Sequence, residues 1–189
     1  MRIYFVRHGE SVNNGKGLFT GQMDAPLNDV GRAQATALCA KLSGIKFDRI
    51  YSSDLSRAIE TAKLAIPGCD YTTDSRIREI NVGYLSGLST TEFRRDHPDL
   101  AGYLNSRDYT HFGGENEDAV LTRVRAFISD LSGVRADNVA VFCHGGILYS
   151  AMVCALGVKF PLRNLHNPNC AIAIFELTDG VLRLVSWNV

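Results

Sequence analysis

Two stretches of this chain, Ile3-Tyr4-Phe5-Val6 and Val139-Ala140-Val141-Phe142, are short, continuously apolar and rich in β-branched or aromatic residues. Two positions after each comes a histidine followed by glycine, at His8-Gly9 and His144-Gly145. A strand loses its in-out alternation only when both of its faces are covered, which is the condition of a parallel sheet held between helices. In such sheets ligands bind in the crevice beyond the carboxyl ends of the strands. His8 and His144 are therefore expected to project into one pocket, with glycine after each letting the backbone approach a ligand. A single histidine is more often structural than functional, but two at equivalent strand ends point to a site.

Arg49-Ile50-Tyr51 offers a third strand. Asn28-Asp29 caps a segment with apolar residues at Ala35, Leu38, Cys39 and Leu42, the one-sided pattern of a helix that ends near Gly44. A second helix is expected from near Asp54, carrying Leu55, Ala58, Ile59, Ala62 and Ala65 inward until Pro67 stops it, and a third spans Glu115 to Leu131. A fourth runs from Ile147 to Leu156. Ala171 to Leu177 and Val181 to Trp187, parted by Thr178-Asp179-Gly180, form a closing hairpin on a favoured turn pair. Strands alternating with helices predict a three-layer α/β sandwich: a mostly parallel central sheet, mixed because of the hairpin, with helices on both faces. Residues 83–114 are polar and broken by Pro98, and are expected to form a small helical cap inserted in a single domain spanning 1–189.

Bulk composition narrows the function. The chain has 189 residues, 46% of them hydrophobic, enough for one ordinary core. Twenty basic side chains balance twenty acidic ones, so no global field draws the protein to nucleic acid or to an anionic membrane, and any anion site must be local. No apolar run approaches the roughly 20 residues of a membrane span. The N-terminus lacks the pattern of a signal peptide, which leads to the expectation of a cytoplasmic protein. Five scattered cysteines without a Cys-x-x-Cys pair fit reduced thiols rather than zinc or redox chemistry. No exposed apolar stripe stands out, so the oligomeric state is left unassigned.

Arg7 precedes His8, and Arg57 follows Tyr51-Ser52-Ser53-Asp54-Leu55-Ser56, again just past a strand. Guanidinium groups bind phosphate oxygens in a bidentate fork and stay charged at any working pH, so two of them beside two imidazoles imply an anion. Other phosphate chemistries fail on spacing. A cysteine-dependent phosphatase loop at Cys143 needs an arginine six places on, where Tyr149 stands. A nucleotide loop at Gly15-Lys16 needs Ser or Thr where Gly17 stands. His97, His111 and His166 have no metal-ligand spacing.

Arg7-His8-Gly9-Glu10-Ser11, Ser52-Ser53-Asp54-Leu55-Ser56-Arg57-Ala58 with Glu60-Thr61-Ala62, Arg78-Glu79-Ile80 and His144-Gly145-Gly146 together resemble the histidine phosphatase superfamily, also called phosphoglycerate mutase-like. The resemblance implies that His8 is a nucleophile that becomes a phosphohistidine, held with Arg7, Arg57 and His144 in a phosphate pocket. It implies Glu79 as proton donor, with neighbouring Arg76 and Arg78 able to hold that carboxylate ionised. Asn14, Thr20 and Gly21 match positions on the substrate side, and Gly145 is expected to contact substrate as well. Glu115-Asn116 resembles a Gly-Glu-Ser element, and a capping role is an equal alternative. The implied partner is a small phosphorylated substrate or inorganic phosphate, with no metal or cofactor required. Within the superfamily the run Thr20 to Asn28, with Gly31-Arg32-Ala33-Gln34-Ala35, is similar to α-ribazole phosphatases, and Tyr84, Phe93, His111 and Phe112 are candidates to line the cap. The rivals are a mutase and a non-catalytic phospholigand-binding module. Mutases of this superfamily carry a longer insertion, whereas 35 residues separate Glu79 from Glu115 here, and the chain stops soon after its last strand. Those two features favour a phosphatase.

Overall fold

The computed structural model describes residues 1–159 and 165–189. Its elements run β1 (Arg2–Arg7), α1 (Val12–Gly15), α2 (Asp29–Leu42), β2 (Arg49–Ser52), α3 (Ser56–Ala65), β3 (Thr72–Thr73), α4 (Thr90–Asp96), α5 (Ala101–Ser106), α6 (Glu117–Leu131), β4 (Asn138–Cys143), α7 (Gly145–Leu156), β5 (Ile172–Thr178) and β6 (Val181–Trp187). The strands form one mixed sheet in the order β3-β2-β4-β1-β5-β6. β3, β2, β4 and β1 are parallel, and β5 and β6 close one side antiparallel.

The two-residue period of a strand divides the core. Ile3, Phe5, Val139 and Val141 join the buried cluster that includes Val124 and Phe127 of α6 and Ile147 and Leu148 of α7. Tyr4, Val6, Ala140 and Phe142 join Leu38 and Leu42 of α2 and Ala62 and Ala65 of α3 on the other face. Covering both faces explains why β1 and β4 read as unbroken apolar runs, and it makes the three layers. No helix among the described residues is long and apolar enough to cross a membrane.

Element ends differ from expectation where side chains have other partners. The Asp54 carboxylate accepts from the Arg78 guanidinium (Nε–Oδ1 2.7 Å), so α3 begins two residues later than its sequence pattern suggests, at Ser56. Glu115 pairs with Arg123 instead of opening α6, and Asn116 caps that helix by accepting from the Ala119 N–H at 2.9 Å. α7 begins at Gly145, directly after His144. The β5–β6 turn has Asp179 and Gly180 both at positive φ (51° and 74°), as a two-residue turn of this type requires. β3, two exposed residues at the sheet edge, is too short to show a period and has no counterpart in the sequence reading.

Residues 83–112 fold as α4, α5 and three turns of 3₁₀ helix. They gather around Phe112, which is fully buried and makes ring contacts with Tyr84, Phe93, Tyr103, Tyr109 and His111. The aromatics of this segment thus pack first on one another.

Candidate active site

His8 leaves the end of β1 with its backbone N–H bonded to the Cys143 carbonyl at 3.0 Å, which places the β1 and β4 ends side by side. The His8 and His144 rings lie 5.1 Å apart, centroid to centroid, at 62°. Both are buried. The loop after His8 is pressed against the start of α2: a Cβ on Gly9 would stand 2.4 Å from the Gly31 carbonyl oxygen, so neither residue tolerates a side chain without moving the backbone. Thr61 of α3 ties the loop down, its Oγ1 accepting from the Gly9 N–H at 3.0 Å and donating to the Arg57 carbonyl at 2.6 Å.

Hydrogen bonding assigns the His8 tautomer. Nδ1 lies 2.6 Å from the Gly9 carbonyl oxygen, which can only accept, so Nδ1 carries the proton. Nε2 is left with a bare lone pair, and Arg57 Nε donates to it at 3.3 Å. Burial, reinforced by Arg57 and then Arg7, holds the His8 pKa well below its ordinary 6.5 against the opposing Gly9 bond. The ring is thus neutral with its nucleophilic nitrogen turned toward an arginine. His144 is pushed the same way by burial first and then by Arg57, His8, Arg123 and Arg7. Its Nε2 sits 2.9 Å from Ser53 Oγ, while its Nδ1 is buried without a partner among the described residues. Ser53 Oγ also accepts from the Leu55 N–H at 3.4 Å, which ties the loop after β2 to the His144 ring.

Arg57 is 1% exposed. Its Nη1 donates to the Met23 carbonyl at 2.9 Å and its Nη2 to the Gly21 carbonyl at 2.8 Å. Burial pulls its pKa down to about 10 despite the nearby Glu79 and Asp24 carboxylates. Arg7 donates from Nη1 to the Asn167 carbonyl, its Nε is buried without a partner among the described residues, and burial again lowers its pKa. Two guanidiniums thus lie partly desolvated beside neutral imidazoles, a cationic arrangement that an anion would relieve.

Glu79 reaches the same place from the loop before the 83–112 segment. Its Oε2 accepts from the Gly146 N–H at 3.1 Å, in the first turn of α7, and its Oε1 from the Ile80 N–H at 2.9 Å. A Cβ on Gly146 would stand 2.1 Å from that Oε1, so glycine is what lets the carboxylate in. Neither arginine flanking Glu79 in sequence is spent on it: Arg76 pairs with Asp74 and Asp130, and Arg78 with Asp54.

The substrate-side expectations have nearer partners. Asn14 Oδ1 accepts from the Ser11 N–H at 3.2 Å in a capping box on α1. Thr20 Oγ1 donates to the Leu18 carbonyl at 3.3 Å, and Gly21 presents its carbonyl to Arg57. Gly145 touches Arg7, whose Nε lies 3.4 Å from where its Cβ would be. Sequence reasoning gave no role to Ser53, Thr61 or Arg123. Arg123 donates to the Arg76 and Arg78 carbonyls, both at 2.6 Å, and to the Glu79 carbonyl at 3.1 Å, while its charge is met by Glu115 at 3.0 Å. This clamp fixes the backbone that carries Glu79. Nothing in local sequence marks it, because its partners lie 44 to 47 residues away.

The family model described as Histidine phosphatase superfamily (branch 1) matches residues 3–189. The chain belongs to that superfamily. This histidine phosphatase superfamily chain is 35% identical to the Hydrogenobacter thermophilus protein named "Putative phosphoserine phosphatase 2", over 99% of its own length and 95% of the relative's. It is 30% identical to phosphoglycerate mutase-like protein 4 of Arabidopsis thaliana, over 94% and 80% of the two chains. The solved α-ribazole phosphatase of Shigella flexneri superposes with a TM-score of 0.83 at 25% identity, covering 100% of this chain and 96% of that one. Phosphatases and mutase-like proteins thus surround this superfamily member.

Neutral burial of the two imidazoles predicts a pH dependence of stability. Each folded-state pKa is depressed below the unfolded value near 6.5, so the unfolded chain binds more protons as pH falls. Stability is complete above about pH 6.5 and is lost below it, toward the depressed folded values, at up to about 1.4 kcal/mol per pH unit for each ring. Urea midpoints measured from pH 7 to 5 should fall accordingly, and His144→Asn should flatten the slope by about one proton. An unchanged slope in that variant would contradict the neutral, buried state of His144.

Proposed function

We propose that the protein is a phosphomonoester hydrolase for a small phosphorylated metabolite, working through a phosphohistidine on His8. The observation that carries this reading is the bare His8 Nε2, held neutral and facing Arg57 beside Arg7 and His144. In the first step Nε2 attacks phosphorus, the P–O bond to the alcohol breaks, and the leaving oxygen takes a proton from Glu79. Arg7, Arg57 and His144 stabilise the charge spread over the equatorial oxygens. The Gly9 carbonyl supports the positive charge that the ring acquires on phosphorylation. In the second step Glu79, now ionised, takes a proton from water, whose oxygen attacks phosphorus while the P–N bond breaks. Phosphate leaves, and His8 and Glu79 return to their starting states.

A mutase would use the same groups but return the phosphoryl group to its product. The short 83–112 segment, packed around Phe112, supports hydrolysis over retention of a released product. With 3-phosphoglycerate as substrate, phosphate release should exceed isomerisation to 2-phosphoglycerate by at least tenfold, followed by phosphomolybdate assay and ³¹P NMR. Isomerisation as the main reaction would replace this reading with the mutase one. No turnover of any phosphomonoester, with phosphate still bound, would leave a binding module.

A further inference from the structure

The turn that leads into β5 runs along the end of β1. The Arg7 N–H donates to the Ala171 carbonyl at 2.9 Å, and the His8 carbonyl accepts twice, from the Cys170 N–H at 3.3 Å and from Asn169 Nδ2 at 3.0 Å. Just before it, the Asn167 carbonyl holds Arg7 Nη1, and Asn167 Nδ2 donates to the Gly145 carbonyl at 3.0 Å. The turn closes without the Asn169 side chain, through the Ala171 N–H on the Pro168 carbonyl at 3.1 Å. It carries Cys170 in the left-handed region, at φ 60°, where a residue with a side chain is strained. The Asn169 amide therefore serves not its own turn but a residue 161 positions away. One donor is enough to satisfy a carbonyl, and the Cys170 N–H supplies it; the second and shorter bond fixes the direction in which that carbonyl points.

Direction matters here because His8 is followed by glycine, the residue with the most backbone freedom. The acceptor for His8 Nδ1 is the Gly9 carbonyl, which stays in place only if the peptide planes on both sides of Gly9 are held. The His8–Gly9 plane is held at its carbonyl by Asn169 and Cys170 and at its N–H by Thr61 of α3. The Gly9–Glu10 plane is held at its N–H by Gln34 Oε1 of α2, at 2.9 Å. We propose that Asn169 is a positioning residue for the nucleophile: by fixing the His8–Gly9 peptide it keeps the His8 Nδ1–H on the Gly9 carbonyl and so keeps Nε2 bare and facing the phosphoryl group. This rests on the hydrolase reading and adds to it the side chain that holds the reactive tautomer. Asn169 touches neither phosphate nor leaving group in this scheme and acts through the backbone of His8 alone.

The test is Asn169→Ala in the full chain, read in three ways. With p-nitrophenyl phosphate, kcat and kcat/KM should fall together by about 10²-fold, the cost of a displaced reacting group, while KM stays put. The affinity for inorganic phosphate should be unchanged, since Arg7 and Arg57 remain. In ¹⁵N NMR near neutral pH, the His8 ring, identified by its loss in His8→Ala, should show the Nδ1–H tautomer alone in the intact protein and a mixture of the two tautomers in Asn169→Ala. A purely structural role would move none of these apart from stability. Turnover by Asn169→Ala within about threefold of the intact protein would overturn the proposal. So would an unchanged His8 tautomer, or a loss of rate matched by an equal loss of phosphate affinity. If the Ala variant does not fold, Asn169→Leu, of similar shape but without the donor, decides by the same three readings. Absence of any turnover by the intact protein would remove the hydrolase reading and this proposal with it, whereas normal turnover by the variant would remove this proposal alone.

Discussion

Replacing His8 by Ala is expected to lower kcat for every phosphomonoester by about 10⁵- to 10⁶-fold, the loss that follows when a nucleophile acting as part of a unit is removed. His144 is not expected to take over, since its Nε2 is held by Ser53 Oγ at 2.9 Å. Arg7 and Arg57 remain, so the variant should still bind phosphate. The same chemistry should be visible directly. A rapid acid-free denaturing quench during turnover of a ³²P-labelled substrate should leave label on His8, stable to alkali and lost in acid, because protonation of the P–N nitrogen makes it a leaving group. Turnover in His8→Ala above about one-hundredth of the wild-type rate would remove the covalent intermediate from the scheme. Label on His144 instead would reassign the nucleophile.

Arg57→Met should lose about 10³- to 10⁵-fold in kcat/KM, the range for a cation that stabilises a transferring phosphoryl group. Arg57 does two things at once: its Nε faces the His8 lone pair, and its two terminal nitrogens span the Gly21 and Met23 carbonyls. The loop from Gly21 to Met23 is thereby tied to the nucleophile, and Lys, with a single ammonium, cannot reproduce the three contacts. A binding measurement separates charge from architecture. In the intact protein, inorganic phosphate at a hundred times its Kd should stabilise by about 2.7 kcal/mol, roughly 5–10 °C in Tm. The shift should vanish in Arg57→Met. A variant that melts like the wild type and still responds fully to phosphate would show that Arg57 is not part of the anion site.

Much of the layout of the candidate site was legible in the sequence. Arg7 and His8 follow one apolar strand, His144 another, and Arg57 opens the helix after a third, so the parallel sheet that those strands imply brings all four to one edge. Periodicity carried that much because the strand and helix periods are local properties. Helix starts were less legible: Asp54 and Glu115 look like first-turn acids, but their carboxylates are committed to Arg78 and Arg123. Asn14, Thr20 and Gly21 resembled substrate contacts, and two of them are held by loop and cap bonds while the third supports Arg57.

What the order of residues determined by itself is the layered α/β architecture and the gathering of two imidazoles and two guanidiniums, since burial on both faces writes itself into continuous apolar runs. Only the folded chain decided that Nε2 is the bare nitrogen of His8, that Ser53 meets His144, and that Arg76 and Arg78 are spent away from Glu79. The reason is range. A hydrogen-bond partner such as Ser53 for His144 lies 91 residues away, and no period in the chain encodes which distant donor will meet which acceptor.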